Sequence, residues 1–315
     1  MMRAFATWVT ARRFRLVLLA IAAAPLMPVV SAALMVLESG RSGFNAALPS
    51  ALLCIAGISV LALFAGSNVG LLAVVGGAAA LSGLAMGGSL RRNGALTITF
   101  QGTVLAAFLL ATVFAVLGPD PNQLFASVID EVVDVFRANA NADVDQQLSV
   151  IASWGPLLLG LIEAAALMQL VGALLLGYWW LSLLRLDISF GDEFRELKLG
   201  RVLGIPALIL MSLGMVLDAP LVQNLTPLAL IAFLFQGLAV MHAWAHAKRW
   251  STAAISVVYV LLVAPYVLSL FALVLGQGAL LMLITGSGIV VWFALWTLGI
   301  VDNVFDTRAP VRPRT

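Results

Sequence analysis

The chain has 315 residues, of which 62% are hydrophobic and only 10% charged, with a net charge of +2 and a mean hydropathy of +1.08. A soluble domain is about half apolar and a quarter charged, so these charges are too few to cover a water-facing surface, and a soluble protein is excluded. The basic residues stand in short clusters between apolar runs, which is a membrane-topology pattern and not a nucleic-acid patch.

Nine apolar segments follow one another, at about Leu16 to Leu37, Ala46 to Ala65, Val69 to Met86, Ala95 to Leu117, Ala152 to Leu184, Val202 to Leu217, Leu221 to Ala245, Thr252 to Leu275 and Gly278 to Val301. Runs of about 20 residues suit a hydrocarbon core of about 30 Å. The expected fold is all-α: a single integral membrane domain over 1–315, built as a polytopic bundle of about eight crossing helices plus a broken or re-entrant N-terminal segment, with the lipid bilayer as its partner.

The first segment resembles a signal peptide, with Arg3, Arg12, Arg13 and Arg15 ahead of it, but its apolar stretch is too short before Pro25 and is expected to be retained. Pro25 and Pro28 interrupt it, because proline removes a helical hydrogen bond and clashes with the preceding turn. A parity argument points the same way. Three crossings between Arg15 and Arg91 would put the N-terminal arginines outside, so one segment must fail to cross. The proline-broken first segment is the favoured one; the rival is segment two or three, divided only by Gly66-Ser67-Asn68. Segment two carries Cys54, the sole cysteine, so no intrachain disulfide is possible and a packing role is expected. Ala20 with Ala24, Ala79 with Gly83 and Gly87, and Ala111 with Ala115 form small-residue ladders at helical spacing, suited to internal packing or to docking a partner membrane protein.

Between segments four and five, residues 119–150 form an acidic insert. Asp120 and Pro121 suit the N-cap and first position of a helix. Phe125, Val128, Ile129, Val132 and Phe136 then recur at helical spacing, ahead of a polar linker around Asn139 to Asp145. This predicts an external amphipathic helix, either a lid or a cover over segment ends.

Segment five carries Glu163 well inside an apolar run. An ionisable group at that depth is costly, and it reads either as a ligand- or proton-binding carboxylate or as a protonated packing residue hydrogen-bonded to a neighbouring helix. Thr99, Gln101 and Thr103 on segment four, or Gln236 and His242 on segment seven, are its candidate partners. The candidate ligand-binding set is therefore Glu163, Gln101, Gln236 and His242. His242 and His246 have the i, i+4 spacing of a metal pair, but no third ligand completes it, and no metal is expected. A phosphate loop, G-x-S-x-G and H-E-x-x-H are all absent, so neither an enzyme nor a cofactor is expected.

Counted back from the C-terminus, Arg308/Arg312/Arg314, Lys248/Arg249, Arg185/Arg195/Lys198/Arg201 and Arg91/Arg92 fall on one side, which the positive-inside rule assigns to the cytoplasm together with both termini.

The stretch Phe235 to His242, the loop Phe194 to Leu199 and above all the ending Leu298 to Arg308 resemble the YybS-like family of predicted bacterial membrane proteins. That family is grouped with the substrate-binding S components of energy-coupling-factor vitamin transporters. The resemblance implies a bacterial inner-membrane protein, an outward-facing pocket for a small molecule and a helix surface that docks on a coupling partner driven by separate ATPases. Ala20 and Ala24 fit such a docking surface, whereas nine segments depart from the usual six. Two functions follow as expectations: small-molecule binding or uptake, and alternatively a structural or assembly role that holds partner membrane proteins.

Overall fold

The computed structural model describes residues 2–64, 69–127, 130, 155–185, 187–214, 216–274 and 278–309. Among the described residues there are thirteen helices and no strand: α1 (Met2–Thr10), α2 (Arg13–Ala23), α3 (Pro28–Ser42), α4 (Phe44–Phe64), α5 (Val69–Asn93), α6 (Leu96–Leu117), α7 (Pro121–Leu124), α8 (Gly155–Leu184), α9 (Phe190–Arg195), α10 (Gly200–Gly214), α11 (Pro220–Ala247), α12 (Thr252–Val274) and α13 (Gly278–Phe305). The all-helical class expected from the sequence is the one observed. Five stretches, α4, Ala73–Asn93 of α5, α6, α8 and α11, are long and apolar enough to cross a membrane; Gly200–Gly214, Thr252–Ala264 and Val290–Phe305 are shorter apolar stretches. Large apolar side chains such as Leu63, Phe64, Leu110 and Leu117 point outward from these helices, a surface suited to lipid and not to water. The chain divides into two compact units, Met1–Phe194 and Arg195–Thr315.

In the first unit the leading apolar segment is two helices. α2 stops at Ala23, and α3 starts at Pro28, whose missing N–H is harmless at a first helical position. The two fold back on each other, which brings Arg13 at the start of α2 to Glu38 near the end of α3, with Nε and Oε1 3.7 Å apart. α3 is the core of this unit and packs on both α5 and α8. Small residues make that possible. A Cβ at Gly83 would collide with the Ala32 carbonyl oxygen, one at Gly87 with the Val36 carbonyl oxygen, and one at Gly177 would lie 2.6 Å from Val36 Cβ. Ser39 adds a hydrogen bond, its hydroxyl donating to the Leu84 carbonyl at 2.8 Å. Cys54 is buried on α4, in keeping with a packing role.

The rest of the unit is tied on at its two ends. α1 lays Ala6 and Val9 inward and sets Phe5 against Trp180 of α8, with ring centroids 5.6 Å apart. Leu96 N–H, at the start of α6, donates to the Glu193 carboxylate at 3.1 Å. At the far end of α6, Asp120 caps α7 by accepting from Asn122 N–H at 3.0 Å, and Asn122 Oδ1 in turn accepts from Gly155 N–H at 3.1 Å. The amphipathic helix expected beyond Ser127, the linker Asn139 to Asp145, and the divider Gly66-Ser67-Asn68 lie outside the described residues.

In the second unit α11 packs on α10 and α13, and α12 packs on α13. α11 and α13 touch backbone to backbone: a Cβ at Gly237 would strike the Leu295 carbonyl oxygen, and one at Gly299 the Phe233 carbonyl oxygen. Gln236 meets Asp302, and Trp244 further along meets Thr307, so the two helices run in the same direction with their C-terminal ends together. In lipid the hydrophobic effect does not draw helices to one another, so this glycine contact supplies much of the attraction by van der Waals packing. Gly237→Val should therefore separate α11 from α13 and lower stability by about 1–3 kcal/mol, the usual cost of overpacking. Chemical denaturation in detergent, compared with an exposed control such as Val202→Ala, measures the effect.

Candidate functional site

The polar centre of the second unit begins with a buried amide on an apolar helix. Gln236 is fully buried on α11, and a buried amide is tolerated only if its donor and acceptor are both used. Its Oε1 accepts the Leu199 N–H at 3.0 Å, and its Nε2 donates to Asp302 Oδ2 at 2.9 Å. One side chain thus links the loop before α10 to the end of α13.

Asp302 is held from the other side by residues that follow α13. The helix ends at Phe305, and Asp306 takes the left-handed conformation (φ 47°), which reverses the chain. That conformation costs a residue with a side chain about 1 kcal/mol. The reversal folds Arg308 back on Asp302: Nε donates to Oδ1 at 3.1 Å and Nη2 to Oδ2 at 2.7 Å, while Nη1 donates to the carbonyls of Arg195 at 2.6 Å and Leu197 at 3.0 Å. Thr307 hydroxyl also donates to Asp302 Oδ1 at 3.0 Å, and Trp244 Nε1 donates to the Thr307 carbonyl at 3.3 Å.

Both charges are buried, Asp302 at 4% and Arg308 at 2% exposure. Burying an ion pair is stabilising only when the remaining lone pairs and protons are satisfied. Here each carboxylate oxygen accepts two hydrogen bonds, and the guanidinium uses four of its five N–H groups. Asp302 and Arg308 therefore form a closed latch with little capacity left for a ligand.

Beside the latch lies a cavity of about 440 Å³, lined by Lys198, Gly200, Arg201, Gln236, Asp302, Asn303, Val304, Asp306 and Arg308. Gly200 is left-handed (φ 71°), which turns the loop sharply into α10 at the cavity's edge. With the latch internally neutral, the character of the cavity is set by Lys198, Arg201, Asn303 and Asp306. Arg201 is exposed at its rim.

Of the four residues singled out from the sequence, only Gln236 lines this cavity. His242, two turns along α11, pairs instead with Tyr259 of α12, Nε2 to hydroxyl at 2.8 Å. Glu163 on α8 and Gln101 on α6 are half-buried residues of the first unit. Among their expected neighbours, Thr99 is engaged with Ser89, 3.2 Å between hydroxyls, and Thr103 donates to the Thr99 carbonyl at 2.9 Å. The small-residue ladders are largely used inside the first unit, where Ala20 and Ala24 are buried and Gly83 and Gly87 abut α3.

Sequence reasoning did not single out Asp302, Arg308 or Glu38 as site residues. Arg308 entered only as a C-terminal cation and Asp302 only within the stretch Leu298 to Arg308, and Glu38, which follows the first apolar run directly, did not enter at all. The signal that could have found the latch is a carboxylate one turn from a helix end with an arginine six residues on, bracketing a reversal. No protein-family model matches the chain, and no curated protein and no solved structure matches it.

Arg308→Ala leaves the Asp302 carboxylate buried without its counter-charge and should cost about 3–5 kcal/mol. Arg308→Lys should recover only part of this, since an ammonium cannot reproduce the fork. The double variant Asp302→Leu/Arg308→Met should be less destabilised than Arg308→Ala alone. Denaturation of the purified variants in detergent checks all three, and a loss for Arg308→Ala no larger than that of a surface pair, about 1 kcal/mol or less, would show that the latch does not hold the unit.

Proposed function

We propose that this chain is a multi-pass protein of the bacterial cytoplasmic membrane that binds a small polar molecule in the cavity beside Gln236, in a small-molecule binding or uptake role; the topology proposed below puts that cavity at the cytoplasmic face, and not outward as in the S components its sequence resembles. The observation that carries the reading is the cavity itself, about 440 Å³ and walled by charged and amide side chains at one end of an apolar helical unit. Pockets of a few hundred Å³ with a small number of placed polar groups are the usual form of small-molecule sites. Lys198, Arg201 and Arg308 against Asp302 and Asp306 leave an excess of positive charge in its lining, which favours an anionic or zwitterionic solute.

The assembly-factor alternative has less support. It needs open small-residue faces, and Ala20, Ala24, Gly83 and Gly87 are already covered; the burial of Ala20 and Ala24 equally removes them as the coupling-partner surface that the S-component resemblance implies.

For topology, the proposal takes α4, α5, α6, α8, α10, α11, α12 and α13 as the eight crossings and α2 with α3 as a re-entrant hairpin. The Arg13–Glu38 pair supports this, because it returns the end of α3 to the level where α2 began. α2 reaches only about 16 Å at 1.5 Å per residue, about half a hydrocarbon core. Arg91 donates to the Arg41 carbonyl, so the ends of α3 and α5 share that level, which the positive-inside rule assigns to the cytoplasm. A broken backbone inside lipid is tolerated where protein covers it, as α5 and α8 cover α3 here.

Two measurements test the proposal. Purified protein screened by thermal shift against water-soluble vitamins and small carboxylates should be stabilised by at least one of them, and Arg201→Glu should remove that shift without lowering the unliganded melting temperature. Stabilisation by none of them, or an undiminished shift in Arg201→Glu, overturns the cavity as the site. For orientation, a cysteine at Asn141 should react with an impermeant thiol reagent in intact cells and one at Asn303 should not; reaction at both or neither overturns the topology.

A further inference from the structure

The first unit holds a second buried carboxylate, and its surroundings are the reverse of the latch. Glu38 on α3 has a side chain only 1% exposed, yet neither oxygen accepts a hydrogen bond among the described residues. Arg13 Nε stands 3.7 Å from Oε1 and Arg41 Nη2 stands 3.7 Å from Oε2. Both are ion-pair distances, beyond the 2.7–2.9 Å of a charge-assisted hydrogen bond. Arg13 and Arg41 are 60% and 42% exposed, so their guanidinium groups sit above the carboxylate and lean outward. Arg91 joins them by donating Nη1 to the Arg41 carbonyl, with its side chain lying along Gly43.

Arg13 and Arg41 on one carboxylate, with Arg91 beside them on the Arg41 carbonyl, leave a local charge of about +2 at the edge of an apolar unit, where repulsion is poorly screened. Arg13 and Arg41 make no hydrogen bond through their side chains among the described residues, so their forks remain able to hold tetrahedral oxygens. The flanking surface is apolar. Phe14 and Leu18, one turn apart on α2, are 55% and 58% exposed, and Phe44 at the start of α4 is 45% exposed.

We propose that Arg13 and Arg41, drawn together over the buried carboxylate of Glu38 with Arg91 beside them on the Arg41 carbonyl, form a seat for the phosphate group of an anionic phospholipid. The phosphate bridges Arg13 and Arg41, and an acyl chain lies along Phe14 and Leu18. Glu38 is a positioning residue: it draws the two guanidinium groups together from below and does not touch the lipid. The flanking apolar stripe assigns the phosphate to a lipid, since a free anion would gain nothing from it. This site lies in the first unit and is independent of the cavity in the second.

Native mass spectrometry of the delipidated full-length protein tests it, with phosphatidylglycerol and phosphatidylcholine added in parallel and inorganic phosphate as a third probe. Phosphatidylglycerol should be retained in preference, and Arg13→Gln/Arg41→Gln should weaken it about a hundredfold, the loss expected when two charge-assisted contacts of about 1.4 kcal/mol each are removed. The single change Arg13→Gln, which leaves Arg41 beside Glu38, should give part of that loss. Arg3→Gln/Arg92→Gln, which removes two cations outside the seat, should leave retention unaltered. Equal retention of both lipids, an equal loss in Arg3→Gln/Arg92→Gln, or stabilisation by inorganic phosphate matching that by phosphatidylglycerol each overturns the proposal.

Discussion

Each unit is organised by a place where two helix backbones touch without side chains between them. α3 lies against α5 at Gly83 and Gly87 and against α8 at Gly177, and α11 crosses α13 at Gly237 and Gly299. Among apolar helices bathed in lipid, association depends on dispersion contacts that fall away within an ångström of separation. A single methyl group at any of these glycines would remove that contact. The polar chemistry depends on the same contacts. Only because α11 and α13 meet so closely can Gln236 reach Asp302, and only because α3 is held against α5 does Arg91 reach the Arg41 carbonyl.

The two buried carboxylates then show what a low-dielectric interior demands. Asp302 is answered in full, by Arg308, Thr307 and Gln236, and the result is a rigid closure that fixes the chain end to the loop before α10. Glu38 is answered by charge alone, at 3.7 Å on each side. A saturated network specifies structure, because every member would lose a partner if one moved. An unsaturated one leaves donors directed outward, and at a membrane surface those donors meet phosphate. The cavity beside the latch has an intermediate character, with a rigid wall on one side and the exposed Arg201 at its rim.

Several features could be read along the chain because they depend on neighbours in sequence. Hydrophobic run length located the apolar helices, since a helix in lipid satisfies its own backbone whatever surrounds it. The break at Pro25 and Pro28 was legible because proline's missing N–H acts locally. Asp120 and Pro121 announced a helix start for the same reason, and the cap is formed as expected.

What the tertiary structure alone decided concerns partners distant in sequence. Glu38 stands next to Ser39 and near Arg41 at the end of an apolar run, and reads as a boundary residue; it is buried because α2 folds back over it and brings in Arg13, 25 positions away. Arg308 reads as one more C-terminal cation until the reversal at Asp306 turns it onto Asp302 and the carbonyls of Arg195 and Leu197. Gln236 and His242 looked equivalent on one helix, but the crossing with α13 places Gln236 at the cavity while Tyr259 of α12 takes His242. Composition and periodicity determined that this chain is a set of apolar helices, because burial in lipid is a property of each segment by itself. Which polar groups meet was decided by helix crossings, because a hydrogen bond needs its partner within about 3 Å and nothing in the order of residues measures that distance.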